Sequence, residues 1–171
     1  AGVEANRQKL EKYMKLKEIK DGLANHNMFS SRMRHILRNV ISIFHQEKSI
    51  SLFLIKDGKF LKAEATKHDD MLVGEPDQES LYLKSFDEWI INNKKGIIVS
   101  DMHKEVRFRA EAGDTIRSLI AVPVFAGTEV AGVLRIYSPK ENCFNHEDLR
   151  FLDLIAEMIS SVFKEEAANA K

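Results

Sequence analysis

The chain of 171 residues carries 26 lysines and arginines against 26 aspartates and glutamates, with 44% hydrophobic and 30% charged residues. That length holds one domain with a full core, and the even charge balance argues against nucleic acid or another polyanion as a partner. No run approaches the roughly 20 apolar residues that cross a bilayer, no secretory signal pattern opens the chain, and the lone Cys143 excludes an internal disulfide framework and a cysteine-cluster metal site, which fits a cytoplasmic location.

Residues 5 to 21 predict a charged helix, since Gln, Glu and Lys favour helix. Its apolar residues Leu10, Tyr13, Met14, Leu16, Ile19 and Leu23 do not form one clean stripe, so its packing partner is expected to be another helix. Gly22 and the stretch from Asn25 to Asn27 mark a break. A second helix follows, about residues 29 to 45, with Met33, Leu37, Val40 and Phe44 at three-four spacing, a stripe suited to covering a sheet. His35 and His45 on it read as solvated or locally bonded.

Asp57-Gly58 joins two strand-like runs, residues 50 to 56 and 59 to 66, into a hairpin. With those two as loop residues, Lys56 faces Lys59 and Ser51 faces Glu64. Ser51, Phe53, Ile55, Phe60, Lys62 and Glu64 then share one side, and Leu52, Leu54, Leu61, Ala63 and Ala65 the other. The wholly apolar second set suits a helical layer. The mixed first set either lines a cavity or, on the plainer reading, has Lys62 and Glu64 marking a solvent-exposed edge strand.

Residues 67 to 80, polar and carrying Gly74 and Pro76, predict a loop long enough to act as a flap. Ser85-Phe-Asp-Glu88 reads as a capping box that opens a short helix to about Asn93, with Phe86, Trp89 and Ile90 inward and Gly96 ending the unit. Ile97 to Val99 is a brief strand. Residues 103 to 112, with Glu105, Arg107, Phe108, Arg109 and Glu111, form a charged turn or short helix.

Residues 117 to 138 are two β-branched, apolar runs around Ala126-Gly127-Thr128-Glu129, a hairpin central enough to be covered on both faces. Gly127 supplies the turn, and Pro123 withdraws a ladder donor, which places a bulge or unpaired stretch nearby. Side-chain alternation puts Arg135 on the face of Val133 and Tyr137, opposite Leu134 and Ile136. A guanidinium there needs an anion, either a ligand or a protein carboxylate such as Glu64 or Glu105.

Asn145 caps the last helix, and Glu147 and Asp148 sit in its first turn, where the helix dipole favours acids. That helix carries two apolar stripes. One runs through Leu149, Leu152, Ala156, Ile159 and Phe163, the other through Phe151, Leu154, Met158 and Val162. A sheet covers only one, so the other should meet the first helix, another subunit, or both. The helix runs on without a Gly or Pro stop, which suggests a segment of a longer protein.

The order of elements and several strings resemble the GAF domain, the small-molecule sensing module of signalling proteins. Ile50-Ser-Leu-Phe-Leu-Ile-Lys-Asp-Gly is similar to its first hairpin, Ser85-Phe-Asp-Glu-Trp-Ile-Ile-Asn-Asn to its short helix, and Gly96-Ile-Ile-Val-Ser-Asp101 to the strand that follows. Leu119-Ile-Ala-Val-Pro-Val with Val130-Ala-Gly-Val-Leu is the most characteristic part, and Phe144-Asn-His-Glu-Asp-Leu resembles the entry into its last helix.

The resemblance implies an α+β sandwich: an antiparallel sheet of about six strands, long helices on one face, and short helices and loops forming a pocket on the other. Residues 1–24 would be an N-terminal signalling and dimerisation helix and 25–171 the GAF-like domain. Positions similar to the family's pocket wall are Ser51, Phe86, Asp87, Glu105, Arg109, Ala112, Ile116 and Arg135, and strand parity adds Phe53 and Tyr137 as candidate ligand-binding residues. Cyclic-nucleotide-binding members carry an Asn-Lys, Phe, Asp-Glu signature of which only Phe144 and Asp148 remain, Leu149 replacing the Glu. Bilin attachment needs a cysteine beside the pocket, and the sulfoxide reductases of this fold need several.

No G-x-S-x-G, HExxH, P-loop or GxGxxG string appears, and the six histidines show no metal-ligand spacing with acids. Haem ligation through His68 or His103 is the weaker reading of residues in charged loops, so no cofactor is identified. The expectation is a regulatory domain, not itself an enzyme, within a larger cytoplasmic signalling protein. It would couple an unidentified small-molecule ligand to the arrangement of its terminal helices in a homodimer, with an output domain elsewhere in the protein. The alternatives are a ligand-free dimerisation module and, third, an autonomous enzyme.

Overall fold

The computed structural model describes residues 2–44, 49–56, 59–66, 72–74, 84–107 and 116–169, with strands β1 to β3 described by backbone and register apart from Ile50. Helix α1 is Gly2–Gly22 and α2 is Phe29–Ser42. Strands β1 (Ser49–Lys56) and β2 (Lys59–Thr66) form the first hairpin and β3 (Leu72–Gly74) follows. Helix α3 (Lys84–Asn93), β4 (Ile97–Val99), β5 (Ser118–Ala126), β6 (Glu129–Ser138) and α4 (His146–Asn169) complete the order.

The sheet is antiparallel and runs β3-β2-β1-β6-β5-β4. The first hairpin has the register that its turn dictates, Lys56 opposite Lys59 and Ser51 opposite Glu64. Two expectations change here. The polar stretch 67–80 contributes β3, which pairs with β2 through Lys62–Gly74 and Glu64–Leu72. Strand β2 is therefore interior at Lys62 and Glu64, and the reading of those charges as marks of an exposed edge does not hold. Three residues of strand are too short to register as a periodicity against their polar flanks.

The central hairpin turns through Gly127 and Thr128, and Gly127 adopts φ +66° at the first loop position, a conformation that a side chain would strain. The ladder shifts register between Val124 and Phe125, one residue beyond Pro123. An irregularity beside a proline is expected, because that residue brings no N–H to the ladder.

Alternation along β5 and β6 divides the core in two. Ile120, Val122, Val124, Leu134 and Ile136 face α2 and α4, where they meet Ile36, Leu37, Val40, Leu152, Ile155 and Ile159. Leu119, Ala121 and Val133 face the other way, against Phe86 and Ile90 of α3, with Ile97, Val99, Met102 and Ile116. Met33, Leu37, Val40 and Phe44 are all buried, so the spacing in the second helix located its inner face, although α2 ends at Ser42 rather than near His45, which lies outside the described residues.

Helix α4 opens on a reciprocal capping box: Asp148 N donates to Asn145 Oδ1 at 2.9 Å, and Asn145 N donates to Asp148 Oδ2 at 3.0 Å. The same carboxylate accepts from Lys12 Nζ at 2.9 Å, which ties α1 to the helix start. Helix α1 is otherwise lightly held. Among the described residues Ile19 is its one buried side chain, worth roughly 1.5–3 kcal/mol, and His35 Nε2 donates to the Ile19 carbonyl at 3.0 Å. His35 is thus locally bonded, bracing the joint between α1 and α2.

Candidate functional site

The second face of the sheet gathers five of the ten candidate residues. Alternation on β6 delivers Arg135 there, at 1% exposure. Helix α3 lies over it because Phe86 and Ile90, four apart and both buried, press onto Leu119, Ala121 and Val133. Asp87 follows Phe86 on the first turn, where the helix dipole favours a carboxylate. Burial leaves it 4% exposed, and its Oδ1 accepts from Arg135 Nη1. Of the two kinds of partner open to the guanidinium, the structure supplies a protein carboxylate, that of Asp87.

Ile116 and Tyr137 join the same apolar cluster beside Phe86. Ser51 and Phe53 are placed by register, opposite Arg135 and Val133. Arg109 and Ala112 lie outside the described residues, as does His68.

Glu105 is held within its own loop. Its carboxylate takes Arg107 through Nε at 2.6 Å and Nη2 at 2.8 Å, and also accepts the Arg107 backbone N–H at 3.1 Å. The Arg107 guanidinium holds the Glu105 carboxyl below its usual range and stands 5.7 Å from the centre of the Trp89 ring, with Lys95 Nζ 5.9 Å away. The Arg107 contact docks the chain after β4 onto α3, while Lys95 lies just past the end of that helix. Upstream, Asp101 accepts from His103 N and grips Arg117 through both oxygens, at 3.1 and 3.0 Å. Chiefly through that arginine, its carboxyl is held well below the usual carboxylate range.

Neither Arg107 nor the Asp101–Arg117 pair was singled out in the sequence. The spacing of Glu105 and Arg107, two apart in a loop, was a visible signal for the first; nothing local marks the second, whose partners are 16 residues apart. Helix α3 ends at Asn93, as expected, and Lys94 just beyond it takes φ +54° while its N–H returns to the Ile90 carbonyl at 2.8 Å. Gly96 instead permits close approach, since a Cβ there would lie 2.9 Å from Val122 Cγ1 and 3.1 Å from the Ala121 carbonyl oxygen.

Cys143 lies between β6 and α4, its Sγ 3.3 Å from Ser138 Oγ and 3.4 Å from the Lys140 carbonyl. Among the described residues no group of three His, Cys, Asp or Glu is placed to hold a metal ion. No helix among them is long and apolar enough to cross a membrane.

Among curated proteins no sequence matches the chain. Solved structures similar to it include the GAF domain of a phosphoenolpyruvate-protein phosphotransferase from Coxiella burnetii, with a TM-score of 0.75, 13% identity, 95% of this chain covered and 98% of that one. The corresponding domain from Acinetobacter gives 0.72 at 15% identity, covering 94% and 97%. A free methionine-R-sulfoxide reductase from Neisseria meningitidis gives 0.67 at 15% identity, covering 87% and 86%. At such identities the likeness is one of fold, and it extends to both sensory and catalytic proteins. The GAF domain family itself matches residues 30–164. With an antiparallel six-stranded sheet between a three-helix layer and a separate α3 face, the chain belongs to the GAF domain family, whose members generally serve as ligand-binding regulatory modules.

Proposed function

We propose that this GAF domain is the ligand-sensing part of a larger cytoplasmic signalling protein, in which occupancy of the second sheet face is passed to α1 and α4 within a homodimer. The observation that carries the reading is the division of β6. Val133, Arg135 and Tyr137 touch the α3 side, while Leu134 and Ile136, one residue away, pack under α2 and α4. A ligand that displaced Arg135 would shift a strand whose other face is the floor of the helical layer, and close-packed interiors transmit such shifts.

A regulatory rather than a catalytic role is supported by the single cysteine: a thiol-based reductase needs a second thiol to resolve the oxidised first one. The ligand-free dimerisation module remains as a second reading, because Arg135 already has a protein partner in Asp87.

Native mass spectrometry of the freshly purified protein tests the proposal together with sedimentation. A co-purified small molecule whose removal alters the dimer supports sensing. A dimer that carries no ligand, and that no metabolite mixture alters, supports the second reading instead.

A further inference from the structure

Helix α1 packs on the core through Leu16, Ile19 and Leu23, and its outward side has a regular order of its own. Val3, Arg7, Leu10, Met14, Lys17 and Asp21 recur at alternating intervals of four and three, a single seam along the whole 21-residue helix. All six are exposed. The charged members do not oppose contact between two such seams. Arg7 is held by Glu4 at 3.3 Å and Glu11 at 3.9 Å on its own helix, and Lys17 and Asp21, adjacent on the seam, carry opposite signs.

The flanks of the seam distinguish the two orientations. On one flank stand Glu4, Glu11 and Glu18, seven apart, and on the other Asn6, Tyr13 and Lys20, all exposed. Antiparallel helices set like flanks together, which brings the three glutamates of one helix against the three of the other, and opposed like charges destabilise. Lys15, 3.6 Å from Glu18, and Arg7 offset part of that repulsion within each helix. Parallel helices set each flank against the opposite one, five residues on. Glu11 then meets Asn6 and Glu18 meets Tyr13, an amide and a phenol that donate to a carboxylate.

We propose that the outward face of α1 docks on the same face of a second copy, the two helices parallel and in register, with Val3, Leu10 and Met14 each meeting its counterpart. The occupant is a second copy because the donors that complement the glutamate flank lie on the other flank of the same helix, and a two-fold contact pairs a surface with itself. This rests on the homodimer in the reading above and adds its orientation.

Disulfide trapping in a Cys143→Ser background, which removes the only native thiol, tests the orientation. Val3→Cys, Leu10→Cys and Lys17→Cys place thiols seven residues apart on the seam, at exposed positions where substitution changes stability little. A disulfide needs Cα atoms within about 7 Å. The parallel pair brings all three positions to their counterparts, so each variant should be trapped as a covalent dimer under mild oxidation at micromolar concentration. In an antiparallel pair centred on Leu10, Val3 lies about 21 Å along the axis from its counterpart, and Val3→Cys traps instead against Lys17→Cys when the two variants are mixed. Independently, Glu11→Gln with Glu18→Gln should weaken the dimer about threefold to tenfold by sedimentation, as loss of several exposed polar contacts does.

Trapping at Leu10 alone, trapping between Val3→Cys and Lys17→Cys in the mixture, or a dimer tightened by the glutamine variant would each overturn the parallel pairing and leave the homodimer standing. A sedimenting dimer in which none of the three positions traps would do the same. A wild type that is monomeric at micromolar concentration would overturn both.

Discussion

Arg135 carries a guanidinium into the interior, and its stability there depends on the Asp87 carboxylate. Replacing Arg135 by Leu should destabilise the domain by about 3–5 kcal/mol, because Asp87 then stays buried without that cation. Adding Asp87→Leu should restore much of the loss, and urea denaturation of the single and double variants measures both. A single variant as stable as wild type would show that the pair contributes little to the fold. Asp101 gives a pH-dependent counterpart. Its carboxyl titrates lower folded than unfolded, so its stabilisation is complete above the unfolded value of about 3.9 and fades as pH falls below it. Asp101→Asn should therefore weaken the protein at pH 7 and differ less from wild type near pH 2. The face that Arg135 occupies was legible in the sequence because strand side chains alternate strictly. Its partner was not, since Asp87 lies 48 residues away and only tertiary placement decides among several acids.

The α3–β4 unit shows how an element's position depends on backbone clearance. Gly96 lies against Val122, which is buried, and against a carbonyl of β5. Gly96→Ala should cost about 1–3 kcal/mol, as overpacking does, and should lower the melting midpoint, because the added methyl presses on Val122 and on Leu149 of α4. Loss of less than the scatter of repeated melts would mean that β4 can shift outward freely. Most elements could be read from sequence because their signals are local: the turn residues of both hairpins, the Asn145 cap, and the three-four spacing of Met33 and Leu37. Those that escaped lack such signals. Strand β3 has three residues, and its existence depends on an edge that β2 offers. Arg107 docks on α3 through Trp89, a contact made only once both elements are in place.

In the whole molecule, α1 explains why its apolar residues formed no single stripe. At 100° per residue, Leu16, Ile19 and Leu23 fall on one side and Val3, Leu10 and Met14 on the opposite one, with Tyr13 at its margin. The first group packs on the core. In the second, Val3 is 85% exposed, Leu10 58%, Tyr13 46% and Met14 64%, on the element with the fewest buried anchors. Leu154 and Met158 of α4, on the stripe expected to meet the first helix, another subunit or both, are half-buried beside a groove of about 780 Å³ that Leu16 and Leu23 also line. Substituting them with Asp would disturb the monomer as well as any dimer. The outer residues of α1 make the cleaner test. If a second copy covers them, Leu10→Glu combined with Met14→Glu should convert the dimer to monomer at micromolar concentration and leave the melting midpoint of the monomeric fold within about 2 °C, since exposed substitutions away from the core change stability little. Sedimentation velocity reads the first effect and a thermal melt of the variant the second. A wild type that sediments as a monomer, or a variant that remains dimeric, would remove α1 from the assembly. Coupling between the second sheet face and the terminal helices would then have to run through α4 alone, by way of Leu134, Ile136 and the helix residues packed on them.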